Sequence, residues 1–432
     1  MKTRSLSLFP DTEGRLDPAI SERSSTFVDN MSLPIHRWFR YAAGFSAAWV
    51  EQEIRNALKQ GPVRLLDPFA GAGTTLLEAE RCGVPAVGLE AQPFVYRIAR
   101  AKLAWREPVE RFLKLAREVR TLAHRQRGDP HEYPPLIQKC YPKPSLVELD
   151  ALKKAWFKLA DGSPAAELVW LAITAILRAC SPVGTAPWQY ILPKKGKVNF
   201  QTPFVAYDLQ VHAMATDMRR RQQETWGEPA QIWQEDARQC KPIPDAWATL
   251  VLTSPPYTNN YDYADATRLE MSFWGEVRSW SDLHTKARKH LIRSCTQHVA
   301  TEREELDRLL ADPSLTPISA ELKYVCRKLA QERENHAGRK PYHVMVAAYF
   351  SDMAKVWKAL RRVTASGCRV CFVVGDSAPY GVHVPVDRWL GELALAAGFH
   401  SYFFEKTRDR NIKWRNRKHR VPLHEGRLWV NG

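Results

Sequence analysis

A chain of 432 residues, 45% of them hydrophobic and 25% charged, exceeds one ordinary core. A catalytic domain of about 250 residues with large insertions is expected, needing neither disulfides nor a structural metal for stability. With 63 lysines and arginines against 47 acidic residues, the net charge of +16 and pI near 9.5 exclude a polyanion-repelling surface and make nucleic acid the leading partner. No stretch approaches the roughly 20 apolar residues of a membrane span, and Met1-Lys2-Thr3-Arg4 does not begin a signal peptide. A cytoplasmic protein with no membrane and no metal is expected. The eight cysteines form no paired framework, and the one C-x-x-C, Cys368 and Cys371, runs into the apolar stretch 370–374 of a buried strand.

In chain order, residues 1–30 are polar and read as a flexible arm. Val63 to Asp67 is an apolar strand ending in a carboxylate. A glycine-rich turn follows, then a helix through Thr74 to Cys82, then a second short strand, Ala86 to Glu90, again ending in an acid. Two strands joined by a helix in this way predict a parallel α/β unit, assigned to 31–104, with its ligand outside the carboxyl ends of the strands. Residues 105–230 have helical periodicity with proline-rich interruptions and read as an inserted lobe. Strands resume at Gln231–Gln234 and Thr249–Thr253, in a second half assigned to 231–275. A charged helical insertion covers 276–341, and 342–432 completes the domain with strands at Cys368–Val374 and Tyr402–Glu405 and a basic tail.

The turn Asp67-Pro68-Phe69-Ala70-Gly71-Ala72-Gly73-Thr74-Thr75 lets a backbone approach a ligand closely. A triphosphate loop would need a lysine after the last glycine, and a dinucleotide fingerprint would need a glycine where Leu76 stands. S-adenosyl-L-methionine remains. Its ammonium suits Asp67, and its carboxylate suits Thr74 and the amides of the turn, including those of Gly71 and Gly73. Its ribose hydroxyls suit Glu90.

Leu250 to Thr253 is a buried-type strand running into Ser254-Pro255-Pro256-Tyr257. Two adjacent prolines fix two φ angles and hold the preceding carbonyls in place. The result is a rigid loop rich in acceptors. An exocyclic amine of a base is a poor nucleophile because its lone pair is delocalised. Acceptors beside its hydrogens, here the Ser254 hydroxyl and the Pro255 carbonyl, favour the pyramidal geometry of attack, and Tyr257 would stack on the base. No metal and no covalent intermediate are required.

Together these two motifs resemble the amino-group DNA methyltransferases, which form N4-methylcytosine or N6-methyladenine. The resemblance implies an α/β fold: a Rossmann-like methyltransferase sheet with helices on both faces, plus large helical insertions. It also implies base flipping and a site-specific DNA substrate, with cytosine N4 favoured by the serine at 254. His36 to Phe45 is similar to the element that packs on the cofactor, with Phe45 as the contact and Phe69 in the turn beside it. Gln234-Glu235-Asp236-Ala237 is similar to a third strand tip, where Asp236 would meet the adenine amino group. The helical insertion between the second and third strands is outside the family's minimal pattern. Basic residues from Lys406 to Arg420 enclose Trp414, so Lys413, Trp414 and Arg415 are candidate DNA contacts. A cognate restriction or defence protein would be the protein partner. Adenine N6 transfer, an RNA base methyltransferase and an inactive nucleic-acid-binding module stay open as alternatives, with a protein-glutamine methyltransferase ranked below them.

Overall fold

A computed structural model describes residues 27–41, 44–183, 199–299, 306–336, 339–410 and 421–432. The chain enters the sheet through α1 (Ala47–Leu58), which Ser46 caps by accepting the Trp49 amide. β1 (Leu65–Asp67), α2 (Thr74–Arg81), β2 (Ala86–Leu89) and α3 (Pro93–Leu103) follow. A helical lobe comes next: α4 (Val109–Arg125), α5 (Pro135–Cys140), α6 (Lys143–Leu159), α7 (Pro164–Ile176) and α8 (Pro203–Gln222). The chain then returns through β3 (Gln231–Trp233) and β4 (Ala248–Thr253), and leaves again through α9 (Arg268–Trp274), α10 (Trp280–Lys286), α11 (Leu306–Leu310) and α12 (Ser319–Glu334). It closes with α13 (Tyr342–Val363), β5 (Thr364–Gly375), α14 (Val386–Ala396), β6 (Ser401–Arg410) and β7 (Leu423–Asn431).

The strands form one seven-stranded sheet in the order β3-β2-β1-β4-β5-β7-β6, with β7 antiparallel to both of its neighbours and the other pairings parallel. This is a Rossmann-like α/β sheet, with helices on both faces and large helical insertions. Side chains alternate across it as a strand period requires. Leu66, Val251, Val370, Phe372, Val374, Leu428 and Val430 share a core with α12, α13 and α14, while Leu65, Leu250, Leu252, Cys371, Val373 and Trp429 share another with α1 and α2. Cys368 and Cys371 therefore lie in different cores, since residues three apart in a strand face opposite ways.

The lobe has its own core, built from α3 to α8 and joined by residues 264–291. Arg178 fixes that junction, with its guanidinium 2.5 Å from Glu270 and donating to the carbonyl of Ala266. Arg97 clamps Glu167 and lies 4.0 Å over the ring of Trp170. Among the described residues, no helix is long and apolar enough to cross a membrane.

β7 has no counterpart in the sequence reading. Gly426 and Arg427 interrupt the apolar pattern, and the glycine is required there: a Cβ at 426 would lie 2.2 Å from the carbonyl oxygen of Glu405 on β6.

Phe372 is fully buried and stacks on Trp357 with ring centroids 4.4 Å apart. Phe372→Ala is expected to destabilise the chain by about 3–5 kcal/mol, read as a lower denaturant midpoint with an unchanged slope.

Candidate active site

Strand order reverses between β1 and β4, whose neighbours run outward in opposite directions, and the crevice there is where open α/β sheets hold ligands. The polar residues at the strand tips converge on it. Asp67 ends β1, Glu90 follows β2, Asp236 lies beyond β3, Ser254 follows β4 and Asp376 follows β5.

Asp67 is fully buried. Its Oδ1 accepts the Thr253 hydroxyl at 2.6 Å and the Phe69 amide at 3.0 Å, while its Oδ2 has no partner. Burial pushes its pKa up to about 6, against the hydrogen bonds that favour the carboxylate. The turn beyond it needs glycine twice, at φ +53° for Gly71 and +84° for Gly73, and a Cβ at 71 would also press on the ring of Tyr41 at 3.0 Å. The Gly71 amide donates to Glu90 Oε2 at 2.9 Å and the Gly73 amide to the Ala70 carbonyl at 2.9 Å. Both amides are thus engaged inside the protein, and the first-turn amides of α2, from Thr74, are the ones without an intrahelical partner.

A cleft of about 760 Å³ opens over these tips, lined by Phe45, Phe69, Gly71, Thr74, Glu90, Asp236, Ser254 and Pro256 among others. Asp67 and Gly73 sit behind that wall. Glu90 is 9% exposed and takes one amide on each oxygen, from Gly71 and from Gln92 at 2.8 Å, which leaves a lone pair on each. Burial, then the neighbouring Asp67, raises its pKa to about 7. Asp236 lines the cleft but is also held by Arg238 at 2.6 Å, and Arg238 in turn reaches Asp352 at 3.2 Å. Phe45 is held edge-on to Trp49, its ring 5.6 Å away, and its carbonyl accepts the Asn30 amide group.

In the loop, the Ser254 hydroxyl donates to the carbonyl of Val373 at 3.2 Å, so its lone pairs are its remaining capacity. Pro255 is buried and Pro256 faces the cleft. Tyr257 donates its amide to the Tyr263 hydroxyl at 3.0 Å, and the Arg410 guanidinium lies 5.5 Å from its ring centroid. The chain beyond is pinned. Thr258 accepts from Ser377, Asn260 holds Thr296 from a left-handed backbone at φ 68°, and Asp262 pairs with Arg288 at 2.6 Å. Lys413, Trp414 and Arg415 lie outside the described residues.

Several cleft residues escaped the sequence reading, namely Tyr41, Gln92, Tyr263 and His290 to Ile292. Tyr41 stood in the quoted segment beside Phe45. Gln92 preceding Pro93 carried a cap signal, and its Oε1 does accept the Phe94 and Val95 amides. Tyr263 reaches the site by accepting the Tyr257 amide, and His290 to Ile292 come to it from a segment remote in the chain.

No protein-family model matches the chain. The Type II methyltransferase M.AvaI, from Nostoc sp. and from Anabaena variabilis, is 25% identical over 418 residues, which is 89% of this chain and 83% of the relative. The Type II methyltransferase M.BsoBI of Geobacillus stearothermophilus is 24% identical over 422 residues, 87% and 80% of the respective chains. The chain is similar to Type II methyltransferases along most of its length. The solved rRNA methyltransferase aviRa from Streptomyces viridochromogenes aligns with 90% of this chain and 85% of its own at 10% identity, with a TM-score of 0.28.

The raised Glu90 gives the site a pH signature. Its pKa in the folded chain, about 7, lies above the ordinary 4.5, so the native state binds more protons between those values and stability falls as pH rises through them. Glu90→Gln is expected to flatten the decline measured between pH 4.5 and 7, by about 3 kcal/mol at most. Parallel slopes for the two proteins would mean that Glu90 ionises normally.

Proposed function

We propose that the chain transfers a methyl group from S-adenosylmethionine to the exocyclic amino group of a DNA base, cytosine N4 ahead of adenine N6. Methyl transfer to DNA in general is supported by the Type II methyltransferases that match most of the chain, whose names are consistent with a restriction-modification setting. The observation that carries the reading is the Ser254-Pro255-Pro256-Tyr257 loop at the tip of β4, beside a cleft walled by the glycine turn and Glu90. The preference for cytosine rests on serine at 254.

The cleft suits the cofactor. Glycine at 71 leaves room that a Cβ would take from Tyr41, Glu90 has two acceptor positions for ribose hydroxyls, and Phe45 offers an apolar wall. Asp236 stands at the adenine end. When bound, the cofactor supplies a methyl group on a cationic sulfur. Ser254, its own proton given to Val373, accepts one hydrogen of the amine, and the Pro255 carbonyl accepts the other. These fixed acceptors stabilise positive charge developing on the nitrogen, and the departing proton leaves along the same hydrogen bonds to water. The target base is turned out of the duplex to reach them.

Nucleosides from DNA of cells expressing the chain, analysed by mass spectrometry, are expected to contain N4-methylcytosine. Ser254→Ala should lower turnover on the order of 100-fold while leaving cofactor affinity unchanged. N6-methyladenine instead would reassign the base, and methylation confined to RNA would reassign the substrate. No mark from a folded, cofactor-binding protein would point to a binding module. The basic segment 406–420 is proposed to hold phosphates, so Lys413→Ala with Arg415→Ala should weaken binding at every sequence and reduce the slope of log K against log salt by about two.

A further inference from the structure

Lys102 sits near the end of α3 on a face that is otherwise apolar, and it is only 3% exposed. Its Nζ donates to the carbonyl of His36 at 2.9 Å and to that of Phe39 at 3.4 Å, at the end of the short 3₁₀ turn His36–Trp38. An ammonium has three donors, so one remains. Among the described residues no carboxylate forms an ion pair with Lys102. A buried cation without a counter-charge is costly, and proteins pair such groups or let them neutralise. Burial accordingly pushes the lysine down to about 7.

The lysine is not sealed in the core. It lines a side recess of about 280 Å³ that shares Tyr41, Gly44, Ala72 and Thr74 with the main cleft. Thr74, which lines both spaces, opens α2, and a helix N-terminus favours negative charge. The Gly71 and Gly73 amides are already engaged, so the turn alone offers an anion little. By contrast, the acids of the site, Glu90 and Asp236, line only the main cleft. Glu78, the carboxylate that holds His36 of the recess at 2.9 Å, is also paired with Arg81 at 2.6 Å, so the site is polarised, acidic over the strand tips and with Lys102 as the cation of the recess.

We propose that this recess is the subsite for the carboxylate at the amino acid end of the cofactor, with Lys102 as its counter-charge. The assignment rests on the S-adenosylmethionine reading above and deepens it. It explains why a lysine occupies a buried helical position that leucine or methionine would fill at lower cost. The ligand brings the anion that the fold withholds.

The test compares two ligands on the full chain by calorimetry: S-adenosylhomocysteine, which carries the carboxylate, and its decarboxylated analogue, which does not. Lys102→Met is expected to weaken S-adenosylhomocysteine about 10- to 100-fold and to leave the analogue within about twofold. Lys102→Met removes a costly buried charge but also the donor to the His36 and Phe39 carbonyls, so the melting temperature of the ligand-free chain is measured beside the affinities. Lys102→Gln keeps a donor for the His36 and Phe39 carbonyls without the charge, so it should show the same selective loss. Equal losses for both ligands, no loss for either, or full rescue by glutamine would overturn the proposal and leave Lys102 as a cap on the 3₁₀ turn. Failure of the unaltered chain to bind either ligand would instead overturn the cofactor reading itself.

Discussion

The hydrogen bond from Thr253 to Asp67, 2.6 Å long and fully buried, joins two segments 186 residues apart in the chain. It spans the point where the strand order reverses, and it sets the distance between the glycine turn and the Ser254 loop. Two prolines make that loop rigid, but rigidity is useful for chemistry only if its offset from the bound cofactor is also fixed. Burying a carboxylate to make this tie is unfavourable, which is why Asp67 stands above the ordinary range. The Thr253 hydroxyl and the Phe69 amide offset part of that cost. Replacing Asp67 would leave the Thr253 hydroxyl buried and unmatched, and replacing Thr253 would leave the buried carboxylate with the Phe69 amide alone.

The features legible in the sequence were those whose reason is local. β1, β2 and β4 are short apolar runs, each ending at a chemically distinct residue, and glycine and proline report backbone constraints directly. What escaped depends on neighbours remote in the chain. Gly426 and Arg427 disguise β7 because the demand for glycine comes from the carbonyl of Glu405 on another strand. Arg238, two residues from Asp236, is in plain view, but its second partner, Asp352 on α13, is not. Tyr257 reads as a stacking platform, and the guanidinium 5.5 Å from its ring comes from Arg410, at the far end of β6. Lys102 follows the usual pattern of a solvated helical lysine, and only the packing of residues 36–41 against α3 buries it.

The lobe and the loop are mechanically continuous. Beyond Tyr257 the chain is pinned at Asn260 and Asp262, then enters the lobe core at Ala264 and stays in it to Leu291. Gln92 makes the reverse connection. It caps α3, donates its backbone amide to Glu90, and donates its side-chain amide to the Thr267 hydroxyl at 2.8 Å. A displacement of the 264–291 segment would therefore reach both Glu90 and the loop through hydrogen-bonded contacts of fixed length. Whatever the lobe touches, it is coupled to the site by packing rather than by a flexible linker.

Charge distribution completes the argument. The chain carries a net +16, yet the tips of five neighbouring parallel strands present Asp236, Glu90, Asp67, Ser254 and Asp376, four of them acids and none basic. A basic exterior draws in a polyanion from a distance of about a Debye length, roughly 8–10 Å at ordinary salt. Two of these acids, Glu90 and Asp236, line the cleft itself, where they work at contact range and disfavour phosphate. Under the proposed reaction this division has a use. The nucleic-acid backbone is kept outside the cleft, the neutral base can enter, and the cationic sulfonium and ammonium of the cofactor meet the acids of the strand tips. Lys102 is the exception inside the cleft system, and it sits in the one recess where the ligand's own negative charge would lie.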